Sequence, residues 1–258
     1  MMRSLVQNRI PALHAGLLAA LLAGAAACAP APEGPPPDPT VDEIVAAHVA
    51  ARGGAERIHA LRSMRATGLA YAGGGRVAPV VREIERPGRI RLEITYQGLT
   101  GVYAHDGEAG WQVAPLEGRF DPEPLPAEVA APSVDQLDIE GPLVDWREKG
   151  HQVTLVGRAE VAGRPAWELD LRLSGGAARR DFIDAESWML VRTDTERVIG
   201  SRRVGIEATF GDFREVGGLV FPHAIETRAK GRPQSLRFVV ESIEIDPEID
   251  DARFRLPE

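Results

Sequence analysis

Apolar and polar side chains alternate with a period of two residues through most of this chain after Leu61. In the range 89–96 every second residue is apolar, and the ranges 167–173 and 204–210 repeat the pattern. Side chains of a β-strand point alternately to its two faces, so each range predicts a strand with one apolar and one polar face. Because parallel strands covered on both faces are apolar throughout, the alternation favours an antiparallel sheet with one solvated face.

Turn sequences separate the predicted strands. Their spacing, as at Asp106-Gly107, predicts roughly ten or more strands. Gly73-Gly74-Gly75 is interpreted as a hairpin tip, because no Gly-Lys-Ser/Thr follows it as in a phosphate-binding loop. Towards the C-terminus the apolar residues of the alternating pattern have even numbers up to Val240 and odd numbers from Ile243 onward. This change of parity predicts a β-bulge near Glu241 or Ser242.

One amphipathic helix precedes the predicted sheet. Its apolar positions fall on one helical face and are Val41, Ile44, Val45, His48 and Val49. Thr40 is a suitable N-cap, and Gly53-Gly54 ends the helix. Because no other metal-ligating residue lies at a suitable spacing, His48 is interpreted as a partly buried residue with one hydrogen bond rather than a metal ligand.

The first 28 residues have the composition of an export signal. Arg3 and Arg9 are their only charges, and the apolar stretch that follows ends in Ala25-Ala26-Ala27 before Cys28, the single cysteine. We expect a signal peptide over residues 1–27 and lipidation of Cys28, since two or more acyl chains anchor a protein stably. Ala25 replaces the Leu that is common in lipoprotein signals, so an ordinary cleaved signal and an uncleaved anchor stay open as alternatives.

Residues 28–40 are predicted to be the lipidated cysteine and a proline-rich tether, which cannot bury apolar surface. Residues 41–258 are predicted to be a single β domain. Ala29 stands where an Asp would direct retention in the inner membrane, so an outer-membrane lipoprotein facing the periplasm is expected, with a soluble periplasmic protein as the alternative.

Charge and cysteine content limit the partners of the mature chain. The sequence has 30 basic and 38 acidic residues, and removal of the signal with its two arginines changes the net charge from −8 to −10. An acidic chain without basic clusters is unsuited to nucleic acid, which is bound by neutralising phosphates. With Cys28 used for the anchor, no thiol is left for a disulfide or a thiolate metal site. No cofactor is indicated.

Catalysis has no support in the spacing of residues. His105-Asp106-Gly107 contains a possible His/Asp pair, but Asp-Gly between two predicted strands is a strong hairpin signal. A Gly-x-Ser-x-Gly elbow and a His-Glu-x-x-His motif are absent from the sequence. We therefore expect that the protein is not an enzyme, and an envelope hydrolase is the least favoured function.

A sheet with one apolar face must close on itself or be covered, because that face has to leave water. The range 122–146 is interrupted by five prolines and is interpreted as a lid of short helices and loops. If the helix and this lid cover the sheet imperfectly, an apolar cavity for a lipid or acyl chain results. The alternative, in which the same residues fill a solid core, stays open.

Several short motifs follow one another in a recognisable order. They are Ala51-Arg52-Gly53-Gly54, Asp106-Gly107 with Trp111, Glu148-Lys149-Gly150, Phe182-Ile183-Asp184-Ala185-Glu186, and Asp212-Phe213-Arg214-Glu215 with Gly217-Gly218-Leu219-Val220-Phe221-Pro222-His223. In this order the chain resembles the LolA/LolB-like outer-membrane lipoprotein-sorting proteins of Gram-negative bacteria. The resemblance implies a mainly β fold, an incomplete antiparallel β-barrel with an N-terminal helix and a short helical lid, whose apolar interior accepts lipid or the acyl chains of lipoproteins.

The leading hypothesis is a non-enzymatic carrier or acceptor that is held at the membrane by its N-terminal anchor. We expect a lipid-binding cavity lined by Ile90, Leu92, Ile94, Trp111, Trp167, Leu169 and Leu171, and gated by Leu137, Leu143 and Trp146. The alternative is an envelope sensor or scaffold that uses its surface to bind other proteins.

Overall fold

Helix α1, Val41–Ala51, begins where Thr40 caps it. In the computed structural model, which describes residues 38–125, 138–199 and 202–257, Thr40 Oγ1 accepts a hydrogen bond from the Glu43 amide at 3.3 Å. Glu43 Oε2 in turn accepts from the Thr40 amide at 2.7 Å, which completes a capping box. The helix and cap predicted from the sequence are confirmed. His48 is buried and makes the one predicted hydrogen bond, to a backbone carbonyl.

A second helix, α2, Ala55–Ala60, follows directly and was not predicted, because six residues are too few to show a helical period. Gly53 between the helices has φ +117°, and a Cβ there would lie 2.2 Å from the carbonyl oxygen of Gly218. Only glycine allows this close approach, which fixes the helix pair against the sheet.

The described residues contain thirteen strands in one sheet, and every pair of neighbours is antiparallel. The strands are β1 Ser63–Ala72, β2 Arg76–Glu85, β3 Arg89–Tyr96, β4 Leu99–His105, β5 Gly110–Ala114, β6 Arg119–Pro124, β7 Gln152–Val161, β8 Arg164–Arg172, β9 Ala178–Asp184, β10 Leu190–Ile199, β11 Arg202–Val216, β12 Leu219–Ala229 and β13 Ser235–Ile245. Strands β6 and β7 are the two edges, so the sheet is open. The predicted mainly β, incompletely closed antiparallel architecture is confirmed.

The strand order has one junction between strands that are distant in sequence. Strands β1 to β6 form one meander and β7 to β13 form a second, and the pairing of β1 with β13 joins them. Thr67 pairs with Ser242 while Gly68 pairs with Val240, so Glu241 is the extra residue of a bulge. The bulge predicted from the change of parity is confirmed.

One face of the sheet, called the inner face here, packs against the two helices. Ile44 and Val45 of α1 contact apolar side chains of β7, β8 and β9. Ile58 of α2 packs with Met64, Ile84 and other residues of β1, β2, β3 and β12. Strands β10 and β11 lie between these two clusters, and their end residues Leu190 and Val216 pack at the cluster margins. From Pro39 onward the chain forms one compact unit.

The predicted lid differs from the structure at its beginning. Pro122 and Pro124 belong to β6, where an edge strand tolerates residues that cannot donate to the ladder. Residues 126–137 lie outside the described residues, and 138–150 consist mainly of turns rather than helices. The predicted signal peptide, Cys28 and most of the tether also lie outside the described residues. No helix in the described part of the chain has the length and hydropathy of a membrane span.

Candidate ligand-binding cavity

A cavity of about 940 Å³ lies between the inner face of β9 to β12 and the turn segment 138–143. Its size is at the upper end of the range typical of ligand pockets. Apolar side chains from the strands form much of its wall, among them Ile206, Ala208, Phe210, Phe221 and Ile225. The cavity is therefore suited to an apolar or amphiphilic molecule.

Strand register brings these side chains together. Residues that pair directly across antiparallel strands share a face of the sheet. Phe210 of β11 pairs with Ile225 of β12, and Ala208 pairs with Thr227 on one side and Thr193 on the other. Over residues 206–210 the alternation of β11 thus directs every second side chain into the cavity.

Ion pairs hold the turn segment over the cavity. Glu140, which is buried, accepts hydrogen bonds from Arg86 Nη2 at 2.5 Å and pairs with Lys149 Nζ at 2.9 Å. Burial acts to raise the pKa of Glu140, but the hydrogen bonds from Lys149 and Arg86 outweigh it and hold the pKa below its usual range. Lys149 also pairs with Asp138 at 2.7 Å, and Arg52 donates to the backbone carbonyl of Glu140. The cover is thereby fixed to α1 and to the end of β2.

His48 borders the cavity from α1 and is neutral at neutral pH. Its Nδ1 lies 2.8 Å from the carbonyl oxygen of Trp188, so this nitrogen carries the proton and donates. Burial, followed by the nearby positive charge of Arg52, lowers the pKa of His48 to about 4. Among the described residues, no group of three or more His, Cys, Asp or Glu side chains is placed to hold a metal ion.

A polar group interrupts the apolar wall on β9 and β10. Asp181 is fully buried, and its Oδ1 accepts from Arg179 Nε at 2.8 Å and from Thr193 Oγ1 at 3.0 Å. Arg179 Nη2 also donates to Thr193 Oγ1 at 3.1 Å, so the three side chains form a closed hydrogen-bonded group. Arg82 of β2 borders the cavity as well, and burial lowers its pKa.

Solved structures with the same arrangement of strands are known. An outer membrane lipoprotein-sorting protein domain from Vibrio parahaemolyticus matches 83% of this chain and 95% of its own length, with a TM-score of 0.54 and 9% identity. A LolA superfamily protein from Nitrosomonas europaea matches 84% of this chain and 98% of its own, with a TM-score of 0.54 and 11% identity. The chain has a LolA/LolB-like fold. The resemblance inferred from the order of the sequence motifs is confirmed at the level of the fold.

A third structure with this fold is a DUF1329 family protein from Desulfovibrio piger, which covers 84% of this chain at 13% identity and a TM-score of 0.56. The match extends over 98% of that protein. No protein-family model matches the sequence, and no curated protein matches it.

Within the LolA/LolB-like fold, the predicted lipid-binding residues occupy different places. Of those that the structure describes, only Leu143 borders the cavity. Trp167, Leu169 and Leu171 lie on the inner face in the apolar cluster under α1. Trp146 packs at the margin of that cluster and borders a smaller groove of about 410 Å³ beside α1.

The predicted residues of β3 and β5 lie on opposite faces of the sheet. Ile90 packs on the inner face in the cluster around α2, and Leu92 and Ile94 share that face by alternation. Trp111 pairs with Ala104, which pairs with Arg91, so Trp111 lies on the outer face. There its Nε1 donates to the carbonyl oxygen of Phe254 at 2.7 Å.

Leu137 lies outside the described residues. The lipid-binding role of the residues predicted from the sequence stays a prediction. The residues of β9 to β12 that border the cavity were not among them. The alternation in the sequence predicts the strand that contains Ile206, Ala208 and Phe210, but nothing in that pattern marks it as part of a site. The missed signal is the presence of Asp181 and Thr193 at inward positions, where a solid core would carry apolar residues.

The His105-Asp106 pair is used in a turn. Asp106 Oδ1 accepts from the amides of Glu108 at 2.9 Å and Ala109 at 2.8 Å, and His105 Nδ1 accepts from the Gly107 amide at 3.0 Å. The turn joins β4 to β5, as the Asp-Gly sequence predicted.

Proposed function

We propose that this protein binds lipid, or the acyl chains of lipoproteins, in the cavity between the inner face of the sheet and the segment 138–143. The observation that carries the proposal is the cavity itself, which has a volume of about 940 Å³ and a wall that apolar strand residues share with charged ones. Burial of each methylene group contributes about 0.8 kcal/mol, so even four methylenes contribute roughly 3 kcal/mol before entropy costs.

The fold supports this proposal. Solved structures with the same architecture include a domain named for outer membrane lipoprotein sorting and a member of the LolA superfamily. Their identity to this chain is 9% and 11%, so we draw the binding role from the cavity and use the fold only as support.

We place the protein in the bacterial cell envelope, as an outer-membrane lipoprotein that faces the periplasm. The support is the sequence of the N-terminus, with an apolar signal before Cys28 and a proline-rich tether after it. In this arrangement the anchor keeps the cavity near a membrane, and the protein acts as a non-enzymatic carrier or acceptor.

Native mass spectrometry of the full chain extracted from its own membrane tests the binding. We expect a co-purifying lipid, and we expect a fluorescent fatty acid to bind the delipidated protein and to be displaced by other lipids. Absence of both would overturn the proposal and favour the sensor or scaffold that the sequence left as an alternative.

A cavity-filling variant links the binding to this site. Ala208→Trp places an indole where β11 borders the cavity, and we expect it to weaken fatty-acid binding at least about tenfold by taking the space of the ligand. The matched control is Ala60→Trp, at the exposed end of α2, which should bind like the wild type. Equal binding by Ala208→Trp and the wild type would place the ligand elsewhere.

A further inference from the structure

The wall of the cavity is more positively charged than the protein as a whole. Six of its described lining residues are arginines and four are acidic, whereas the chain has a net charge of −8. Two of the four acids, Asp138 and Glu140, are also paired with Lys149, which is not a lining residue. The cavity therefore has a local excess of positive charge, which attracts anions.

Four of the arginines lie at one end of the cavity. Arg172 is the last residue of β8, and Arg179 is the second residue of β9. Arg197 is close to the end of β10, and Arg203 is close to the start of β11. Because neighbouring strands are antiparallel, the ends of β8 and β10 and the starts of β9 and β11 lie at the same end of the sheet.

Among the described residues, the arginine end of the cavity is its open end. Arg172, Gly175 and Gly176 border the cavity there and are exposed. His48 and Phe221, which border the cavity near the opposite end of the sheet, are buried. Apolar residues of β11 and β12 lie between the two ends. An amphiphile therefore fits this cavity with its chain on the apolar wall and its head group at the arginine end.

Two of the four arginines have charges that the described part of the protein does not use. Arg179 and Arg203 are each paired with an acidic residue. Arg172 and Arg197 form no hydrogen bond or ion pair with any described residue. Arg197 lies four residues after Thr193 on β10, so it shares the inner face, and it is half-buried. A ligand can reach both guanidinium groups, and each can donate to it.

We propose that Arg197 and Arg172 bind the anionic head group, a carboxylate or a phosphate, of an amphiphile whose chain lies on the apolar wall. A guanidinium group can donate two parallel hydrogen bonds to either anion. The protein then prefers anionic lipids to uncharged lipids of the same chain length. This inference rests on the proposed binding of lipid in the cavity. It deepens that function, because an apolar wall alone selects for chain length and not for head group.

Ligands with the same chain and different head groups test the inference on the delipidated wild type. Dodecanoate is ionised at about pH 8, whereas dodecanamide has nearly the same shape and no charge. In displacement of the uncharged fluorescent probe N-phenylnaphthylamine, we expect dodecanoate to bind about fivefold tighter or more. This advantage should shrink at high salt, because charges near solvent are screened. Equal displacement by the two ligands at low salt would overturn the inference.

Dodecyl phosphate distinguishes the two kinds of anion. Tighter binding of the phosphate or of the carboxylate identifies the preferred head group, and either result supports an anion site. If neither anion binds tighter than dodecanamide, the inference is wrong.

Variants assign the preference to the two arginines. We expect Arg197→Gln to weaken the binding of dodecanoate about threefold or more, and the double variant with Arg172→Gln to lose the preference over dodecanamide. Binding of the amide should change little. The matched control is Arg237→Gln, at an exposed residue of β13 that does not border the cavity. It removes the same charge and should keep the wild-type ratio.

The outcomes separate this inference from the function on which it rests. If the probe does not bind the wild type and no lipid co-purifies, the proposed lipid binding fails. If lipids bind and the double variant keeps the wild-type ratio, or the control loses it equally, the two arginines do not form the site and the inference is wrong. If the double variant does not fold, Arg197→Gln and the ligand series on the wild type decide.

Discussion

The free energy of unfolding should decrease as the pH falls below neutral, because His48 is buried in its uncharged form. The imidazole borders the cavity on the inner side of α1, is 4% exposed and donates through Nδ1 to the carbonyl oxygen of Trp188. Burial, together with the charge of Arg52, lowers its pKa from 6.5 to about 4. The unfolded chain binds a proton at this residue at a pH where the folded chain does not, so acid favours unfolding.

The size of the effect follows from the two pKa values. Because the pKa of the His48 imidazole is lower in the folded chain than in the unfolded chain, protonation does not reduce the free energy of unfolding above pH 6.5. The reduction grows as the pH falls from 6.5 towards 4. At about pH 5 the free energy of unfolding should be about 2 kcal/mol lower than at neutral pH from this residue alone. The complete loss, reached below pH 4, is about 3 kcal/mol.

His48→Asn removes the titration and keeps a donor for Trp188, because the amide nitrogen of Asn lies close to the position of Nδ1. Urea unfolding of both proteins at several values between about pH 7.5 and pH 5 gives the free energy of unfolding for each. The wild type should lose about 2 kcal/mol relative to the variant over this range. Parallel curves for the two proteins would refute the account of a buried neutral imidazole.

Two further variants test the packing on each face of the sheet. Leu169→Ala, at a fully buried position under α1, should lower the free energy of unfolding by about 2 to 5 kcal/mol in urea. The control Val156→Ala, at an exposed position, should change it by less than about 0.5 kcal/mol, and equal effects would contradict the assigned core. Trp111→Phe leaves the carbonyl of Phe254 without its donor and should cost about 1 to 3 kcal/mol, whereas an unchanged midpoint would contradict the outer-face contact.

Local sequence was sufficient to predict most elements of this fold. Thr40 and Glu43 are three residues apart, and a capping box depends only on residues at that spacing. Alternation likewise requires only neighbouring residues, and the change of parity after Val240 was enough to predict a bulge near Glu241 or Ser242, which the structure has at Glu241. The short helix α2 escaped prediction because one and a half turns carry no usable period.

Which face of the sheet a side chain occupies depends on how the strands pair, and local sequence does not determine that pairing. Trp111 lies on the outer face because the turn between β4 and β5 pairs it with Ala104. A turn with one residue more or fewer would move the whole strand to the opposite face. Arg179 and Asp181 escaped for a related reason, since charged residues in an alternating strand are ordinarily assigned to the solvated face, yet both border the cavity.

The cavity follows from a mismatch between the sheet and its cover. The thirteen described strands, about 4.8 Å apart, give a sheet about 58 Å wide when measured from strand to strand, whereas the eleven residues of α1 form a helix only about 16 Å long. With α1 on β7 to β9 and α2 mainly on β1 to β3, the strands between them meet, among the described residues, the turn segment 138–143 instead of a helix.

A solid core at this place would need large apolar side chains at every inward position. The inward row instead contains Asp181, Thr193, Ala208 and Thr227, which are small or polar. Packing stability alone does not account for such residues, because each leaves space or a polar group that a larger apolar side chain would remove. The ligand that we propose for this cavity would fill the space that the small side chains leave.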